Sequence, residues 1–355
     1  MSNGQELQDG APHRIVAVII PCYNEAVTIS KVVKDFYRVL PDCTVYVYDN
    51  NSTDDTARIA REAGAVVRRE PRQGKGNVVR AMLRDIDADC YLLVDGDDTY
   101  PAEAAPGMVS KVLDEGYDMV DGDRLSTTYF TENKRPFHNF GNKLVRGMIN
   151  LLFNSNVRDI MTGYRAMSFG FAKTLPVLSR GFELETEMTI FALDKNVRVL
   201  EVPIQYRDRP EGSHSKLNTV SDGIKVIFSI FNLLRNYRPM LFYSILGVIT
   251  LIISLVLCTS TLHEFMMTRA ITHTGRFGWM FVFALLTVTL FAAGFVLSGA
   301  AKRDRQNHEV TLNTVVMQWR QLGGAGQASK PVSSPAHASE DDGDDDAVAK
   351  ISVAQ

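Results

Sequence analysis

Cysteine is scarce in this sequence, and the few cysteines are widely spread. The 355 residues include Cys22, Cys43, Cys90 and Cys258, and no two of them have the Cys-x-x-Cys spacing of a zinc or redox motif. We therefore expect neither disulfides nor a zinc site, which is typical of a reducing compartment. Residues 1–13 form a polar N-terminal extension without the apolar core of a secretory signal peptide. We expect the domain that follows to remain in the cytosol.

The chain also has no strong charge of one sign and no P-loop. Its formal net charge is -3, and an acidic run at residues 340–346 hides a nearly balanced remainder. No basic region indicates a nucleic-acid partner, so none is expected. The Gly-x-x-x-x-Gly-Lys-Ser/Thr pattern does not occur, which argues against hydrolysis of a nucleoside triphosphate.

Two long stretches contain no charged side chain. Residues 240–262 and 277–301 lack Asp, Glu, Lys and Arg, and each is long enough to cross a hydrocarbon layer of about 30 Å. They predict a two-helix transmembrane hairpin over residues 239–301, as in an integral protein of the plasma or inner membrane. Lys and Arg before and after the hairpin predict that both chain ends face the cytoplasm. The alternative is an apolar hairpin buried inside a soluble protein.

The remaining regions have the composition of a folded domain with extensions. Residues 14–216 alternate short β-branched runs with amphipathic stretches, which predicts an α/β domain around a mostly parallel sheet. We expect strands at 15–20, 44–48, 65–67, 91–94 and 198–202, and helices at 27–40, 53–63, 75–85, 139–153 and 183–194. Residues 217–238 predict an amphipathic juxtamembrane helix, with a core helix as the alternative. A cytosolic segment over 302–322 and a disordered acidic tail over 323–355 complete the expected organisation.

The pattern richest in chemistry is Asp95-Gly96-Asp97, directly after the apolar run 90–94. This order places two carboxylates at the carboxyl end of a buried strand, where open α/β sheets bind their ligands. Carboxylate oxygens are suitable ligands for a hard divalent cation that bridges a diphosphate. The pattern predicts a sugar nucleotide bound with Mg²⁺ or Mn²⁺. The alternative is that the acidic residues only start a turn or cap the next helix.

Three other predicted strand ends carry polar groups. Residues 21–25 begin with a proline that we expect to end the first strand, and Asn24 and Glu25 then open a helix. Asp49 follows the second strand, where an acidic side chain can accept a hydrogen bond from a ribose or base. Lys75 lies between two glycines at a predicted helix N-terminus, a place that favours anionic groups. Simple helix capping is the alternative for the first two, through Ser52 or Asp54 in the second.

Together these motifs resemble the family 2 glycosyltransferases of the GT-A fold. The resemblance rests on residues 21–25, 49–54, 74–77 and 95–97, in this order and spacing. Later segments are similar to the polyprenyl-phosphate glycosyltransferases, such as dolichyl-phosphate mannose synthase and bacterial undecaprenyl-phosphate glucosyl relatives; these segments are 122–124, 159–165, 182–185 and 209–216. The resemblance implies a Rossmann-like GT-A domain over 14–216, interfacial amphipathic helices and two transmembrane helices.

The resemblance also implies an activity: transfer of a hexose from a nucleotide sugar to polyprenyl phosphate with inversion. UDP-glucose or UDP-N-acetylhexosamine is the favoured donor, because the two-helix anchor resembles the bacterial branch, and GDP-mannose is the alternative. Thr99 and Asn50-Asn51 depart from the family pattern beside the donor, so the sugar is left open. The implied partners are the nucleotide sugar, the lipid phosphate, the membrane, and a downstream flippase and glycosyltransferase. A homo-oligomer is compatible with the sequence.

Carried over residue by residue, the resemblance implies overlapping sets of site residues. The donor-binding set is Pro21, Tyr23, Asn24, Glu25, Asp49, Lys75, Asp95, Gly96 and Asp97. Asp95 and Asp97 are also the implied metal ligands. The acceptor-phosphate set is Arg124, Arg165, Arg209, Ser215 and Lys216. The catalytic set is Asp97, Asp159, Glu185, Arg209 and Lys216.

Several alternatives stay open at this stage. A phosphate monoester has a second pKa of about 6 and is already mostly dianionic at neutral pH, so no strong base is required. Asp159 and Glu185 are therefore expected to orient other groups, although Asp159 could instead form a salt bridge with Arg165 in the core. A polysaccharide synthase would carry Gln-x-x-Arg-Trp, an order that residues 318–320 do not satisfy. A catalytically inactive membrane scaffold is the rival from another class, and the intact acidic pair weighs against it.

Overall fold

A computed structural model of the protein describes residues 14–125, 136–181, 183–207, 231, 234–270 and 273–324. Within these ranges the chain forms a seven-stranded sheet covered by helices, followed by two long apolar helices. The predicted polar extension, most of the predicted juxtamembrane helix and nearly all of the predicted acidic tail lie outside the described residues.

The sheet is mostly parallel and contains one reversed strand. Its strands are β1 (Val16–Cys22), β2 (Thr44–Asp49), β3 (Val66–Arg69), β4 (Cys90–Leu93), β5 (Met119–Asp123), β6 (Arg165–Ser168) and β7 (Val199–Pro203). Their order across the sheet is β3-β2-β1-β4-β6-β5-β7. Strand β6 runs antiparallel to β4 and β5, and the other described pairs are parallel. The α/β sheet expected from the sequence is confirmed, and β1 to β4 end at one common edge.

The helices around the sheet begin and end close to the predicted positions. They are α1 (Ile29–Val39), α2 (Thr56–Glu62), α3 (Lys75–Asp85), α4 (Ala105–Leu113), α5 (Pro136–Phe153), α6 (Phe169–Thr174) and α7 (Leu184–Asp194). The predicted bounds of α3 are confirmed, and those of the other predicted helices move by a few residues. Strands β5 and β6 and helices α4 and α6 were not predicted.

Strand β1 continues through Pro21, so the expectation that this proline ends the strand is wrong. Pro21 pairs with Tyr48 in the β1–β2 register. On the other side, the last β1 residue paired with β4 is Ile19, whose carbonyl accepts the Val94 N–H at 3.2 Å. Successive residues of a strand alternate between its two neighbours, so Pro21 points to the side where the β4 ladder has ended. Its missing N–H therefore removes no ladder hydrogen bond.

Alternating residues of the central strands fill two hydrophobic cores. Val18, Ile20 and Leu92 face α1 and α4, whereas Ile19 and Leu93 face α3, α6 and α7. None of these five side chains is exposed. Burial of each one contributes about 1.5–3 kcal/mol. Helices on both faces therefore hold the central strands, and the residues at their ends, in fixed positions.

Two helices after the sheet are long and apolar enough to cross a membrane. They are α8 (Pro239–Thr268) and α9 (Thr274–Gln321). The two helices pack on each other, because Gly247 leaves room for the ring of Phe291. The hydroxyls of Thr250 and Thr287 are 2.8 Å apart across this contact. Most other side chains of α8 and of the first half of α9 are exposed and apolar.

Helix α9 is longer than the sequence predicted. Its 48 residues extend over about 70 Å, more than twice the thickness of a hydrocarbon layer. The separate segment expected over 302–322 is instead a continuation of α9 through residue 321, which we call the distal half of α9 (residues 302–321). This half packs on the α/β domain. The Arg305 guanidinium donates to Asp194 at 2.8 Å, and the Trp319 ring stacks on Phe169 with centroids 4.3 Å apart.

Candidate active site

The loops after β1 and β2 are fastened to each other at the carboxyl edge of the sheet. The Asn24 N–H donates to Ser52 Oγ at 2.9 Å, and the Glu25 N–H donates to Thr56 Oγ1 at 2.8 Å. Asn24 has a φ of 56°, a left-handed conformation that asparagine tolerates better than most residues. These bonds hold residues 21–25 in place while Tyr23 stays exposed to solvent.

Asp49 ends β2 as a buried carboxylate. Both of its oxygens lie 3.3 Å from the Ser52 nitrogen, whose N–H they accept. The next residue, Asn50, reaches the loop between β3 and α3. Its Nδ2 donates to two carbonyls of that loop at 2.9 and 2.8 Å, and its Oδ1 accepts the Gly74 N–H at 2.7 Å. Asn50 therefore positions the loop that delivers Lys75.

Lys75 joins two acidic residues from distant parts of the chain. Its ammonium donates to Glu185 Oε1 at 2.6 Å and also pairs with Asp95. Burial disfavours the charged ammonium, but the two carboxylates outweigh this effect and raise the pKa of Lys75. Glu185 is buried at the start of α7, whereas the Asp95 side chain is 29% exposed. The structure thus brings three of the predicted site residues together.

The glycines beside Lys75 allow a close backbone approach. A Cβ on Gly74 would lie 2.1 Å from the Arg180 carbonyl oxygen, and one on Gly76 would lie 2.1 Å from the Ser179 oxygen. The Gly76 N–H donates to Arg180 O at 3.2 Å. A backbone N–H at the α3 N-terminus is therefore already bonded to a carbonyl of this chain. Lys75 is the cationic group that α3 presents to the site.

The two aspartates after β4 suit a cation that arrives with its substrate. Asp97 is buried, and its carboxylate accepts a hydrogen bond from the Thr99 hydroxyl at 2.7 Å. Asp95 lies close to the backbone of Gly163, where a Cβ would be 2.4 Å from Asp95 Oδ2. In the part of the chain that the structure describes, no three His, Cys, Asp or Glu side chains cluster as a protein-only metal site. Mg²⁺ commonly needs only one or two carboxylates when substrate phosphates supply the other oxygens. Asp95 and Asp97 fit that kind of site.

Arg124, just after β5, is held by a set of polar contacts. Its Nε donates to Asp159 Oδ2 and its Nη2 donates to Met161 O, both at 2.8 Å. The guanidinium carbon lies 5.8 Å from the centre of the Tyr206 ring. Only 14% of the Arg124 side chain and 2% of the Asp159 side chain are exposed. Asp159 thus pairs with Arg124, and the alternative in which it pairs with Arg165 is wrong.

Arg165 is not an acceptor-phosphate residue, contrary to the sequence prediction. Its side chain is fully buried, 3.3 Å from Asp121 Oδ2. The guanidinium donates to Thr162 O at 3.1 Å and to Thr189 Oγ1 at 2.9 Å. Burial raises the pKa of Asp121 to about 7, although Arg165 opposes the shift. A phosphate cannot reach Arg165, because this side chain points from β6 into the core.

Three predicted site residues lie outside the described residues. They are Arg209, Ser215 and Lys216. Two residues that were not predicted support the site. Glu201 in β7 accepts the N–H groups of Arg158 and Asp159 at 2.8 and 3.0 Å. Tyr100 accepts the Gly163 N–H at 2.8 Å. Glu201 could have been recognised from the sequence, because it is an acidic residue inside the apolar strand β7. No sequence pattern marks Tyr100.

Comparison with known proteins assigns the family. A model described as glycosyl transferase family 2 matches residues 17–175. Glycosyltransferase AglJ of Haloferax volcanii is 33% identical over 259 residues, which cover 73% of this chain and 84% of that protein. The chain belongs to glycosyl transferase family 2. The resemblance drawn from the motifs is confirmed, and this glycosyltransferase family member is an enzyme.

Two further relatives and one fold neighbour extend the comparison. The dolichyl-phosphate hexose transferase of Haloferax volcanii is 32% identical over 216 residues, 61% of this chain and 92% of that protein. Protein RfbJ of Shigella flexneri is 56% identical over 109 residues, 31% of this chain and 84% of that protein. Glucosyl-3-phosphoglycerate synthase from Mycobacterium tuberculosis, solved with Mn²⁺, uridine-diphosphate and phosphoglyceric acid, matches with a TM-score of 0.51 and 22% identity over 62% of this chain and 78% of that chain. This likeness confirms the GT-A-like fold.

Proposed function

We propose that this protein is an inverting hexosyltransferase that moves a hexose from UDP-glucose or UDP-N-acetylhexosamine to a polyprenyl phosphate in the membrane. The observation that carries the proposal is the position of Gly163, which contacts both the acidic edge after β4 and the residues around Arg124. The Gly163 N–H donates to the Tyr100 hydroxyl, which lies 3.5 Å from Arg124 Nη1. The α-carbon of the same glycine faces the Asp95 carboxylate. The acidic edge after β4 and the Arg124 cation are therefore parts of one site.

The donor occupies the carboxyl edge of β1, β2 and β4 in this proposal. Residues 21–25, Asp49 and Gly96 line the nucleoside side, and Asp49 accepts a hydrogen bond from the ribose or base. Lys75 supplies positive charge at the diphosphate. Asp95 and Asp97 would hold Mg²⁺ or Mn²⁺, which when bound neutralises negative charge on the departing diphosphate.

The acceptor phosphate meets Arg124 on the other side of Gly163. A phosphate oxygen attacks the anomeric carbon, the bond from that carbon to the nucleoside diphosphate breaks, and the configuration inverts. The phosphate is mostly dianionic at neutral pH, so the site has to position and desolvate it. Asp159 and Glu185 serve as orienting groups, because each is hydrogen-bonded to a cation, Arg124 and Lys75 respectively. Arg209, Ser215 and Lys216 complete the acceptor side in the proposal.

The membrane part of the proposal uses α8 and the first half of α9 as a transmembrane hairpin. A hairpin returns the chain to the side from which it entered. This connection agrees with the contacts of the distal half of α9, which packs on the α/β domain through Arg305 and Trp319. Lys302, Arg303 and Arg305 follow the second apolar stretch, which favours a cytoplasmic location for both ends of the chain. The similarity to the dolichyl-phosphate hexose transferase of Haloferax volcanii supports a lipid phosphate as acceptor.

Reconstitution of the full chain in lipid nanodiscs tests the proposal. The assay offers undecaprenyl phosphate or dolichyl phosphate together with a panel of UDP- and GDP-sugars, and measures glycolipid formation. We expect a glycolipid from UDP-glucose or a UDP-N-acetylhexosamine, and none in excess chelator. Product from GDP-mannose alone would assign the donor to the mannosyl alternative. Binding of donors without any glycolipid would support the inactive scaffold and refute the proposal.

A further inference from the structure

We infer that Arg165 is a positioning residue for glycosyl transfer, because its guanidinium joins the segment that holds Arg124 to the helix that holds Lys75. This role rests on the proposed function, in which Arg124 meets the acceptor phosphate and Lys75 meets the donor diphosphate. We call residues 159–163 the acceptor-side segment. Arg165 begins β6, shortly after this segment in the chain, and none of its side chain is exposed. It therefore acts through its neighbours and touches no substrate.

Two N–H groups of Arg165 bind the backbone of the acceptor-side segment. Nε donates to Thr162 O at 3.1 Å, and Nη2 donates to Ile160 O at 3.2 Å. The carbonyl between these two belongs to Met161 and accepts an N–H from Arg124 at 2.8 Å. Successive carbonyls of this short segment therefore bind Arg165 and Arg124 alternately, so a shift of the Arg165 guanidinium also moves a partner of Arg124.

The same Nη2 atom of Arg165 also binds the first two turns of α7. It donates to Glu185 O at 3.0 Å and to Thr189 Oγ1 at 2.9 Å, and the Thr189 hydroxyl donates to Glu185 O at 3.1 Å. The Glu185 carboxylate accepts the Lys75 ammonium at 2.6 Å. The backbone carbonyl of Glu185 therefore faces Arg165, and its side chain faces Lys75 and the donor side of the site.

The acidic partner of Arg165 is Asp121, 3.3 Å from Nη1, and neither side chain is exposed. Among the described residues, the Asp121 oxygens have no hydrogen-bond partner, whereas Nε and Nη2 of Arg165 are directed at carbonyls of the two segments. A lysine could supply the positive charge opposite Asp121. Arginine alone has a rigid planar group with several N–H donors, which bonding to carbonyls in two directions requires.

This arrangement fixes the distance between the two sides of the proposed site. A guanidinium is planar and rigid, so the carbonyls that it binds keep a constant separation. Transfer requires the phosphate oxygen at Arg124 to face the anomeric carbon of a sugar whose diphosphate lies at Lys75. A displacement of about 1 Å, caused by a residue outside the chemistry, can lower the rate about 100-fold. Loss of Arg165 should therefore reduce turnover more than it weakens the binding of either substrate.

Steady-state kinetics of the full chain in lipid nanodiscs test the role of Arg165. Arg165→Lys keeps a positive charge opposite Asp121 but loses the fork of N–H donors. We expect kcat to fall by at least roughly tenfold, with little change in the KM for the nucleotide sugar or for polyprenyl phosphate. Ser168→Ala is the matched control, because Ser168 is a buried residue of the same strand whose hydroxyl accepts the Phe171 N–H at 3.2 Å. It should lower the Tm and leave kcat unchanged.

Thr189→Val is a second variant that disturbs the contact less. Valine keeps the shape of the side chain and removes the hydroxyl between Arg165 and Glu185, so the fold should persist even if Arg165→Lys does not fold. We expect kcat to fall by roughly three- to tenfold, about the effect of one lost hydrogen bond, again without a change in either KM. A normal kcat in Thr189→Val would overturn the role of Arg165. A rise in either KM with unchanged kcat, or an equal loss of kcat in Ser168→Ala, would also overturn it.

Hydrogen–deuterium exchange of the same variants requires no glycosyl transfer and so separates this role from the proposed function. The Asp159 and Gly163 N–H groups are hydrogen-bonded and report on the acceptor-side segment, and residues 185–189 report on α7. We expect both variants to exchange faster in both segments, and the Ser168→Ala control in neither. Faster exchange in only one segment, or in neither, would overturn the role of Arg165. A wild-type chain that forms no glycolipid would refute the proposed function, and the exchange result would still decide whether Arg165 joins the two segments.

Discussion

The indole Nε1 of Trp319 donates a 2.8 Å hydrogen bond to Oδ1 of Asp89, across 230 positions of sequence. The other Asp89 oxygen accepts the Ile15 N–H at 2.8 Å. Asp89 directly precedes β4, and Ile15 directly precedes β1. The end of α9 is therefore bonded to the base of the two strands whose opposite ends carry residues 21–25 and 95–97.

Replacement of Trp319 should destabilise the α/β domain. Trp319→Phe leaves Asp89 Oδ1 without its donor in a buried place, which should lower the free energy of unfolding by about 1–3 kcal/mol. Trp319→Ala also removes the stack on Phe169 and should cost about 3–5 kcal/mol. Thermal unfolding of the full chain in detergent measures both. Trp279→Phe is the control, because Trp279 is 60% exposed on the first half of α9. A loss of similar size in Trp279→Phe would show that the Asp89 bond is not the cause.

Removal of Lys75 should impair donor binding and stability together. Lys75→Met leaves the buried Glu185 carboxylate without its cation, which should lower the free energy of unfolding by about 3–5 kcal/mol. The KM for the nucleotide sugar should also rise, because the diphosphate loses a positive group. Lys31→Met is the matched control: Lys31 pairs with Asp98 at 2.6 Å but is half exposed, so its loss should cost at most about 1 kcal/mol. Equal effects of the two variants on the KM would contradict the donor role of Lys75.

Asp97→Asn should abolish glycosyl transfer and weaken divalent-cation binding. The amide keeps the size of the side chain but removes a negative oxygen donor, which a hard cation requires. Mn²⁺ titration of the full chain in the presence of UDP, followed by electron paramagnetic resonance, measures binding apart from turnover. Asp98→Asn is the control, because Asp98 pairs with Lys31 and is not one of the proposed ligands. Normal turnover by Asp97→Asn, or by the wild-type protein after metal stripping, would refute the metal role.

Glu201→Gln should impair the acceptor side selectively. Glu201 accepts the N–H groups of Arg158 and Asp159, so an amide in its place loosens the segment that orients Arg124. We expect the KM for polyprenyl phosphate to rise roughly five- to tenfold, which corresponds to about 1–1.4 kcal/mol, the net contribution of about one ordinary hydrogen bond. The KM for the nucleotide sugar should not change. Glu103→Gln is the control, because the exposed Glu103 pairs with Arg38 and Arg207. A rise in both KM values would indicate a general structural effect instead.

Stability should depend on pH through Asp121. Its pKa is about 7 in the folded protein and about 3.9 in an unfolded chain. Between these values the folded state binds more protons, so the contribution of Asp121 to stability is present below pH 4 and is lost as the pH rises to 7. Asp121→Asn should reduce the fall in Tm between pH 5 and pH 8, measured by thermal unfolding. The exposed Asp55 provides the control Asp55→Asn. An unchanged Tm profile in Asp121→Asn would show that another group titrates.

Local patterns in the amino-acid sequence were enough to predict the α/β domain, the two apolar helices and the acidic strand ends. Alternation of apolar residues depends only on neighbours a few positions away, which is why the bounds of α3 were predicted correctly. The same reasoning placed Asp49, Asp95 and Asp97 at one edge, because parallel strands end together. The order and spacing of these motifs carried the family resemblance.

Side-chain partners depended on the three-dimensional packing. Strands β5 and β6 were missed because Asp121 and Arg165 interrupt the expected apolar pattern. These two charged side chains can be buried only because they face each other across the sheet. Because Arg165 pairs with Asp121, it is not available at the phosphate site. Asp159 pairs with Arg124 instead. Continuation of α9 onto Asp89 likewise requires the folded domain to be present. Sequence spacing does not encode such contacts, since each one forms where elements that are far apart in the chain come within hydrogen-bonding distance of each other.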